Sequence, residues 1–572
     1  MLDNQRENIG LRFISPTRPA QYSTIQYHSV GTIGKRETPV ICLRDSMKVM
    51  QLSIGKSVAV LGLLGLASAT ATGNAEARDE AAAAAAAASS ATSAGSYCCQ
   101  ILKLGLGSKI SLPGSAPYNE STGSFFSEQN NAIKPACVVS PTSTKDVQEA
   151  VGILSTLSLV GKFSGQKCQF AVRSGGHTPW AGSATIQDGV DIDLSALNHI
   201  TPSKDKKTVS IGPGNRWVDV YLKLDALGLG VSGGRVASVG VGGLTTGGGM
   251  SFFAPRYGFV CDTVTEFEVV LASGQVVVAN AKTNPTLWSA LKGGSNNFGV
   301  VTRIDLEIFT QGKFWGGTVV YPISTAPQQL AAFVNFNGQE KFDEYGALIN
   351  SYGYNKNQGG WFVANNLEYT KAQAYPPAFN EFTSIQPQLL STMRISNMSD
   401  FAIEMEGSTP YGRGQIMYTQ TYANDLETIT NLFNQVESSL QPIIDVEDLV
   451  WSLSLQPLPT QITKWGDANG GNSLGLHESS GNLVLALISA SWPNPSDDQA
   501  VTEAVVDAFA KVNAFAEEKG TFNSYEYLNY AHKTQTPITG YGAENVAKLK
   551  AASKKYDPLQ VFQKRVPGGF KL

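Results

Sequence analysis

What this chain has little of narrows it first. No large basic block runs through it: 43 Lys and Arg stand against 47 Asp and Glu, a formal net charge of −4. The electrostatic footprint of a nucleic-acid binder is missing, and nucleic acid is not an expected partner. Histidine is scarce, five in 572 residues. Beyond the N-terminal region only His177, His199, His477 and His532 remain, too scattered to make a metal-ligand set. Apolar runs are short. Val58–Ala67 falls well below a membrane span, so no stable membrane association is expected. Two glycine motifs are incomplete. From Gly240 the chain reads G-V-G-G-L-T, with Thr245 where a dinucleotide fingerprint needs its third glycine. Gly293-Gly294-Ser295-Asn296-Asn297 lacks the closing glycine of a serine-hydrolase elbow.

The length points to two domains or one elaborated unit. Residues 1–46 are polar and aperiodic, and read either as an extension ahead of a true start at Met47 or as a disordered tail. From Met47 the chain has the order of a secretory signal over 47–71. Lys48 and Lys56 supply charge, Val58–Ala67 an apolar core, and Ala69-Thr70-Ala71 a small-residue cleavage site. Residues 72–129 form a linker and N-terminal segment, with an Ala-rich stretch at 81–88 that suits low complexity or a frayed helix. Five of the six cysteines follow the signal. Cys98, Cys99, Cys137 and Cys168 allow two disulfides of undetermined pairing, and Cys261 in YGFVCDTV is expected as a buried free thiol. Asn119 and Asn397 head glycosylation sequons. Together these features point to a secreted chain, taken to be a monomer.

Hydropathy patterning predicts strands at 136–139, 170–173, 190–194, 208–211, 266–271, 275–279 and 300–308. A capped helix follows Ser143, with Val147, Val151, Leu154 and Leu157 as its apolar stripe. Past 309–315 the glycine clusters thin out. Alternation at 415–422 puts Ile416, Tyr418, Gln420 and Tyr422 on one face. At 450–456 it sets Ser452, Ser454 and Gln456 opposite Trp451, Leu453 and Leu455. A helix at 499–518 carries Ala500, Ala504, Ala508 and Val512 along one line. This region reads as a second α+β domain with an antiparallel sheet.

Glycine is abundant, 57 residues, and it concentrates in three stretches: AVRSGGH (171–177), VGVGGLTTGGGMS (239–251) and GGSNNFGVV (293–301). Without a Cβ, backbone amides can approach a ligand and form an anion-binding nest. The three loops are expected to close on one phosphate-bearing cofactor, with His177 beside its ring. His199, His477 and His532 are expected to be structural.

AVRSGGHTPWAG, VGVGGLTTGGGMSFFAPRYGFVCD and LKGGSNNFGVVT, in that order, resemble a PCMH-type FAD-binding domain. YLNYA and YDPLQVF resemble the C-terminal part of berberine bridge enzyme-like oxidoreductases of the vanillyl-alcohol oxidase superfamily, in their fungal form. The resemblance implies an α+β fold: a two-subdomain FAD-binding domain at 130–312, a substrate domain at 313–519 and a C-terminal return at 520–572. It implies that Arg173, Ser174, Gly175 and Gly176 bind the FAD diphosphate and that His177 bonds covalently to the flavin. Val239, Gly240, Gly242, Gly243, Gly247, Gly248, Gly249, Asn297, Phe298, Gly299, Tyr527 and Asn529 would complete the site. Val236 stands where some relatives carry a second anchoring cysteine, so one covalent bond is expected. Val239 occupies a position that accompanies oxygen reactivity in the family. The expected activity is an oxidase that moves a hydride from an alcohol, sugar or secondary metabolite to FAD and then to O2. The alternatives are an oxidative cyclase or dehydrogenase, and a binding protein without turnover. Candidates for the base are Tyr418, Tyr422 and Tyr530, with Gln456 and His477 as weaker pocket candidates.

Overall fold

The computed structural model describes residues 94–164 and 168–572, with side chains from 158 to 164 left aside. The signal-like 47–71 stretch and residues 1–46 lie outside the described residues. The chain from 94 onward builds three sheets. The first has four strands, in the order Ile110–Ser111, Cys137–Val139, Val190–Asp193 and Phe170–Arg173. Its last three strands run parallel, which aims the chain after Arg173 and after Asp193 off the same edge. The helix Thr144–Ser164 crosses over between two of them. Val147, Val151 and Leu154 are fully buried beneath it, and the Ser143 hydroxyl accepts from the Asp146 amide as its cap.

Two disulfides, Cys98–Cys168 and Cys99–Cys137, tie the helix Ala94–Leu106 to this sheet. Cys261 is free and buried, as its apolar setting suggests. The second sheet is antiparallel around the long strand Val300–Thr310, which pairs with Thr208–Ile211, Leu229–Val231 and Val264–Val270. The strands expected at 266–271 and 275–279 form a hairpin, Val264–Val270 paired with Val276–Asn280 and joined through Gly274 at φ +79°.

The third sheet is nine-stranded and antiparallel, centred on Gly346–Asn355, Val450–Leu458 and Leu483–Trp492. Its strict alternation explains its two-sidedness. Trp451, Leu453 and Leu455 are fully buried toward the helices Leu426–Leu440 and Asp498–Lys519, while Ser452 and Ser454 face a cavity. The 498–519 helix docks through Val501, Val505, Ala508, Val512 and Ala516. Ala500 is exposed, so the buried stripe lies one position round from the expected line. The larger Val501 and Val505 gain more by burial than the alanines, about 0.8 kcal/mol per buried methylene, and they set the rotation.

The C-terminal return crosses back to the first two sheets. Tyr525, Tyr527, Tyr541, Leu549 and Tyr556 share a core with Phe267, Leu287 and Leu291, and Val561, Phe562 and Val566 join the core of the four-stranded sheet.

One close approach holds the glycine loops together. A Cβ on Gly175 would lie 2.5 Å from the backbone of Gly240, and one on Gly240 would lie 2.3 Å from Gly175 N. Neither backbone can yield cheaply. Gly175→Ala is expected to destabilise the protein by about 1–3 kcal/mol, read as a fall in thermal midpoint. Gly243→Ala, in the helix Val241–Thr246 with open space around it, is the control expected to change little.

Candidate active site

The strand Phe170–Arg173 delivers 174–177 to the wall of a cavity of about 500 Å³. Gly176 turns the chain at φ +65°, where a side chain would strike Phe125 and Arg173. The Ser174 hydroxyl donates to Pro213 O and accepts from the Gly242 amide at 3.0 Å, so loops one and two are bolted together. The N–H groups of Gly175 and Gly176 are buried and meet no acceptor among the described residues. Buried amides of this kind call for an acceptor supplied from outside, which is what a phosphate provides.

Arg173 supports this loop from behind. Its guanidinium donates to Ser121 O, to Ser124 O (3.0 Å) and to Ser124 Oγ (2.8 Å), lies over the Phe125 ring and sits 3.8 Å from Asp193. It does not line the cavity.

His177 does. Its half-buried imidazole stacks on Phe126 (4.0 Å, 10°), meets Tyr411 edge-on and lies 3.4 Å from Ser238 Oγ. Loss of solvent, and then the nearby Arg216 guanidinium, push its pKa down to about 3. The ring is therefore neutral near pH 7, with a lone pair available as a nucleophile. Val236 and Val239 both line the cavity, and Cys261 does not.

The rest of the glycine cradle divides in two. Gly240, Gly242, Gly243 and Gly299 line the cavity, with Tyr527 and Asn529. Gly247, Gly248, Gly249, Asn297 and Phe298 stand behind the wall. A Cβ on Gly247 would lie 2.6 Å from the Asn529 amide, and one on Gly249 would lie 2.6 Å from Leu244. Asn529 Oδ1 accepts from Gly249 N at 3.2 Å while its Nδ2 donates to Gly243 O and Leu244 O. Asn297 is wholly buried, donating to Gly294 O and Phe570 O and accepting from Gln563 Nε2. Phe298 is core. These residues need glycine, amide or ring for packing within the protein, and none of the five is on the cavity lining.

The opposite wall belongs to the nine-stranded sheet. Thr318, Ser351, Asn366, Ser452, Ser454 and Ser489 present hydroxyls and an amide to the cavity beside Met405, Met417 and Phe362. Between the two walls sits a buried polar cluster. Arg235 Nη2 donates to Tyr530 OH at 2.6 Å and to Gln456 Oε1 at 2.7 Å. The Gln456 amide reaches Tyr530 OH at 3.4 Å, and the Tyr527 ring stands edge-on to Tyr530 at 4.8 Å. Arg235 and Tyr530 line the cavity. Glu368, wholly buried, lies in the field of Arg235; burial holds its carboxyl well above the usual range, against the pull of that arginine.

The other two tyrosines are elsewhere. Tyr418 stacks on Phe509 and His532, and Tyr422 donates to Asn513 Oδ1 at 2.7 Å, both on the helix-packed face of the sheet. Burial raises both phenols, which opposes loss of a proton. Neither is placed to act as the base. His477 pairs with Asp467 at 3.1 Å in an exposed position, away from the cavity lining. Arg235 is the residue that sequence reading missed. An arginine inside SGGRVASVGVGG, a stretch without any acid, was the available signal.

A family model described as FAD binding domain matches residues 135–280. The chain is 40% identical over 486 residues to the FAD-dependent monooxygenase sdcF of Emericella nidulans, covering 84% of this chain and 99% of that one. It is 38% identical to the FAD-dependent monooxygenase CTB5 of Cercospora beticola, covering 84% and 92%. Among solved structures, 6-hydroxy-D-nicotine oxidase from Arthrobacter nicotinovorans aligns with a TM-score of 0.64 at 20% identity, over 80% of this chain and 96% of that one. Berberine bridge enzyme from Eschscholzia californica aligns with 0.64 at 16%, over 83% and 99%. At these identities the two structures speak for the fold, while the glycine cradle and the sequence relatives speak for FAD. The chain belongs to the family of FAD-dependent oxidoreductases that includes these fungal proteins, and it has the fold of berberine bridge enzyme.

Proposed function

We propose that this chain is a secreted FAD-linked oxidase that withdraws a hydride from a hydroxyl-bearing small molecule of secondary metabolism and releases H2O2. The observation that carries the reading is the Arg235–Tyr530–Gln456 cluster, set between the glycine cradle and a hydroxyl-lined sheet. FAD, when bound, accepts the hydride and passes the electrons on to O2. Ser174, Gly175, Gly176, Gly240 and Gly242 would hold it, and neutral His177 would anchor it by a single covalent bond.

Tyr530 is the group with reach to a substrate hydroxyl. Arg235 stabilises negative charge on the phenol oxygen by a charge-assisted hydrogen bond, and Gln456 fixes the direction of that oxygen. The serines of the sheet wall orient the ligand through hydroxyls that both donate and accept. Val239 on the cavity wall supports oxygen as the electron acceptor, and two disulfides support an oxidising compartment.

A second reading has an observation of its own, since the similar fungal proteins carry the name monooxygenase. Turnover under 18O2 separates the two. The oxidase reading expects one H2O2 per O2 consumed and no label in the product. Labelled product together with a requirement for an added reductant would favour oxygen insertion, and reduction of a dye without O2 uptake would favour a dehydrogenase. Tyr530→Phe should slow anaerobic flavin reduction by about 10²–10⁴-fold, the usual worth of a positioned base. Unchanged reduction in that variant would remove Tyr530 from the role.

A further inference from the structure

The last five residues, Gly568 to Leu572, are built into the cofactor side of the cavity. Gly569 and Phe570 line it, together with Trp180, Ser183 and Asn296. The Phe570 ring meets the Trp180 ring at 5.7 Å, and its carbonyl accepts from Asn297 Nδ2 at 2.9 Å. Asn296 Nδ2 donates to Gly568 O at 3.0 Å, and the Leu572 amide donates to Gln563 Oε1 at 3.1 Å. Both glycines are required. A Cβ on Gly568 would lie 2.5 Å from the carbonyl oxygens of Gly182 and Ser183, and Gly569 has φ +78° with Asn296 2.6 Å from its Cβ position. The tail is thus stitched to the 180–183 segment and to the third glycine loop.

Lys571 is carried in by this tail. Its Nζ donates to Asn296 Oδ1 at 3.0 Å, and it makes no ion pair among the described residues. Loss of solvent, with no opposing acid, pushes its pKa down to about 7. Lys571 is only partly buried, and a phosphate beside this unpaired cation would offset the solvent it has lost. Asn296, which fixes the ammonium, lines the same cavity as Gly175 and Gly176, whose amides meet no acceptor among the described residues.

We propose that Gly568–Leu572 closes the phosphate end of the FAD site and that Lys571 supplies a cation to the FAD diphosphate. The inference rests on the FAD reading of the cavity. It is tested on the full-length chain in the His177→Ala background, where FAD can exchange, by titrating flavin fluorescence with FAD and with riboflavin. Lys571→Met should weaken FAD by about tenfold or more, the usual loss of a charge-assisted hydrogen bond, and should leave riboflavin, which has no phosphate, unchanged. Lys571→Arg should retain most of the FAD affinity. The same comparison on wild-type apoprotein, read as the concentration giving half-maximal flavin incorporation, serves if the His177→Ala protein does not fold. Equal weakening of FAD and riboflavin, or no change in either, would overturn the role of Lys571. A parent protein that takes up neither flavin would instead refute the FAD reading beneath it.

Discussion

The contact on which the site depends is between two stretches of main chain. Gly175 and Gly240 approach so closely that neither can carry a side chain, and Ser174 locks the approach by accepting from the Gly242 amide. This brings a loop from the parallel four-stranded sheet against a loop that precedes a short helix, across sixty-five residues of chain. The consequence is a wall made largely of backbone, with amides left unpaired at Gly175 and Gly176. A wall of that kind suits a phosphate-bearing ligand and little else in an acidic protein. It also sets His177 at the cavity face, neutral and stacked on Phe126.

The other half of the site depends on strand alternation. The nine-stranded sheet spends one face on the helices and turns serines, threonine and small residues to the cavity on the other. Arg235 and Gln456 come from opposite walls and meet on Tyr530, which the C-terminal return brings in. Three segments distant in sequence converge on one phenol oxygen. The chemistry of the site is therefore assembled by long-range packing, whereas the cofactor wall is assembled by local glycine placement.

That difference explains what could be read from sequence. The AVRSGGH strand and loop, the 264–280 hairpin and the serine-bearing strand at 450–458 were legible because glycine position and two-residue alternation are local signals. Glycine marks a close approach without saying to what: Gly247 closes on Asn529, and Gly249 on Leu244 and Val260. Asn297 shows the same limit: its buried amide donates to the tail at Phe570, a partner no local pattern names. Tyr418 and Tyr422 share a face with apolar Ile416, a pattern that already placed them against the helices. Arg235 has no local pattern at all, and its role exists only through Gln456 and Tyr530.

The account turns on FAD held in the glycine cradle by one bond to His177. Mass spectrometry of the peptides from a protease digest of the purified yellow protein tests it directly. The account predicts a single flavinylated peptide, with fragmentation placing FAD on His177 and none on any cysteine. Unmodified His177 in protein that retains its flavin through acid precipitation, or a flavin attached at a second residue, would contradict it.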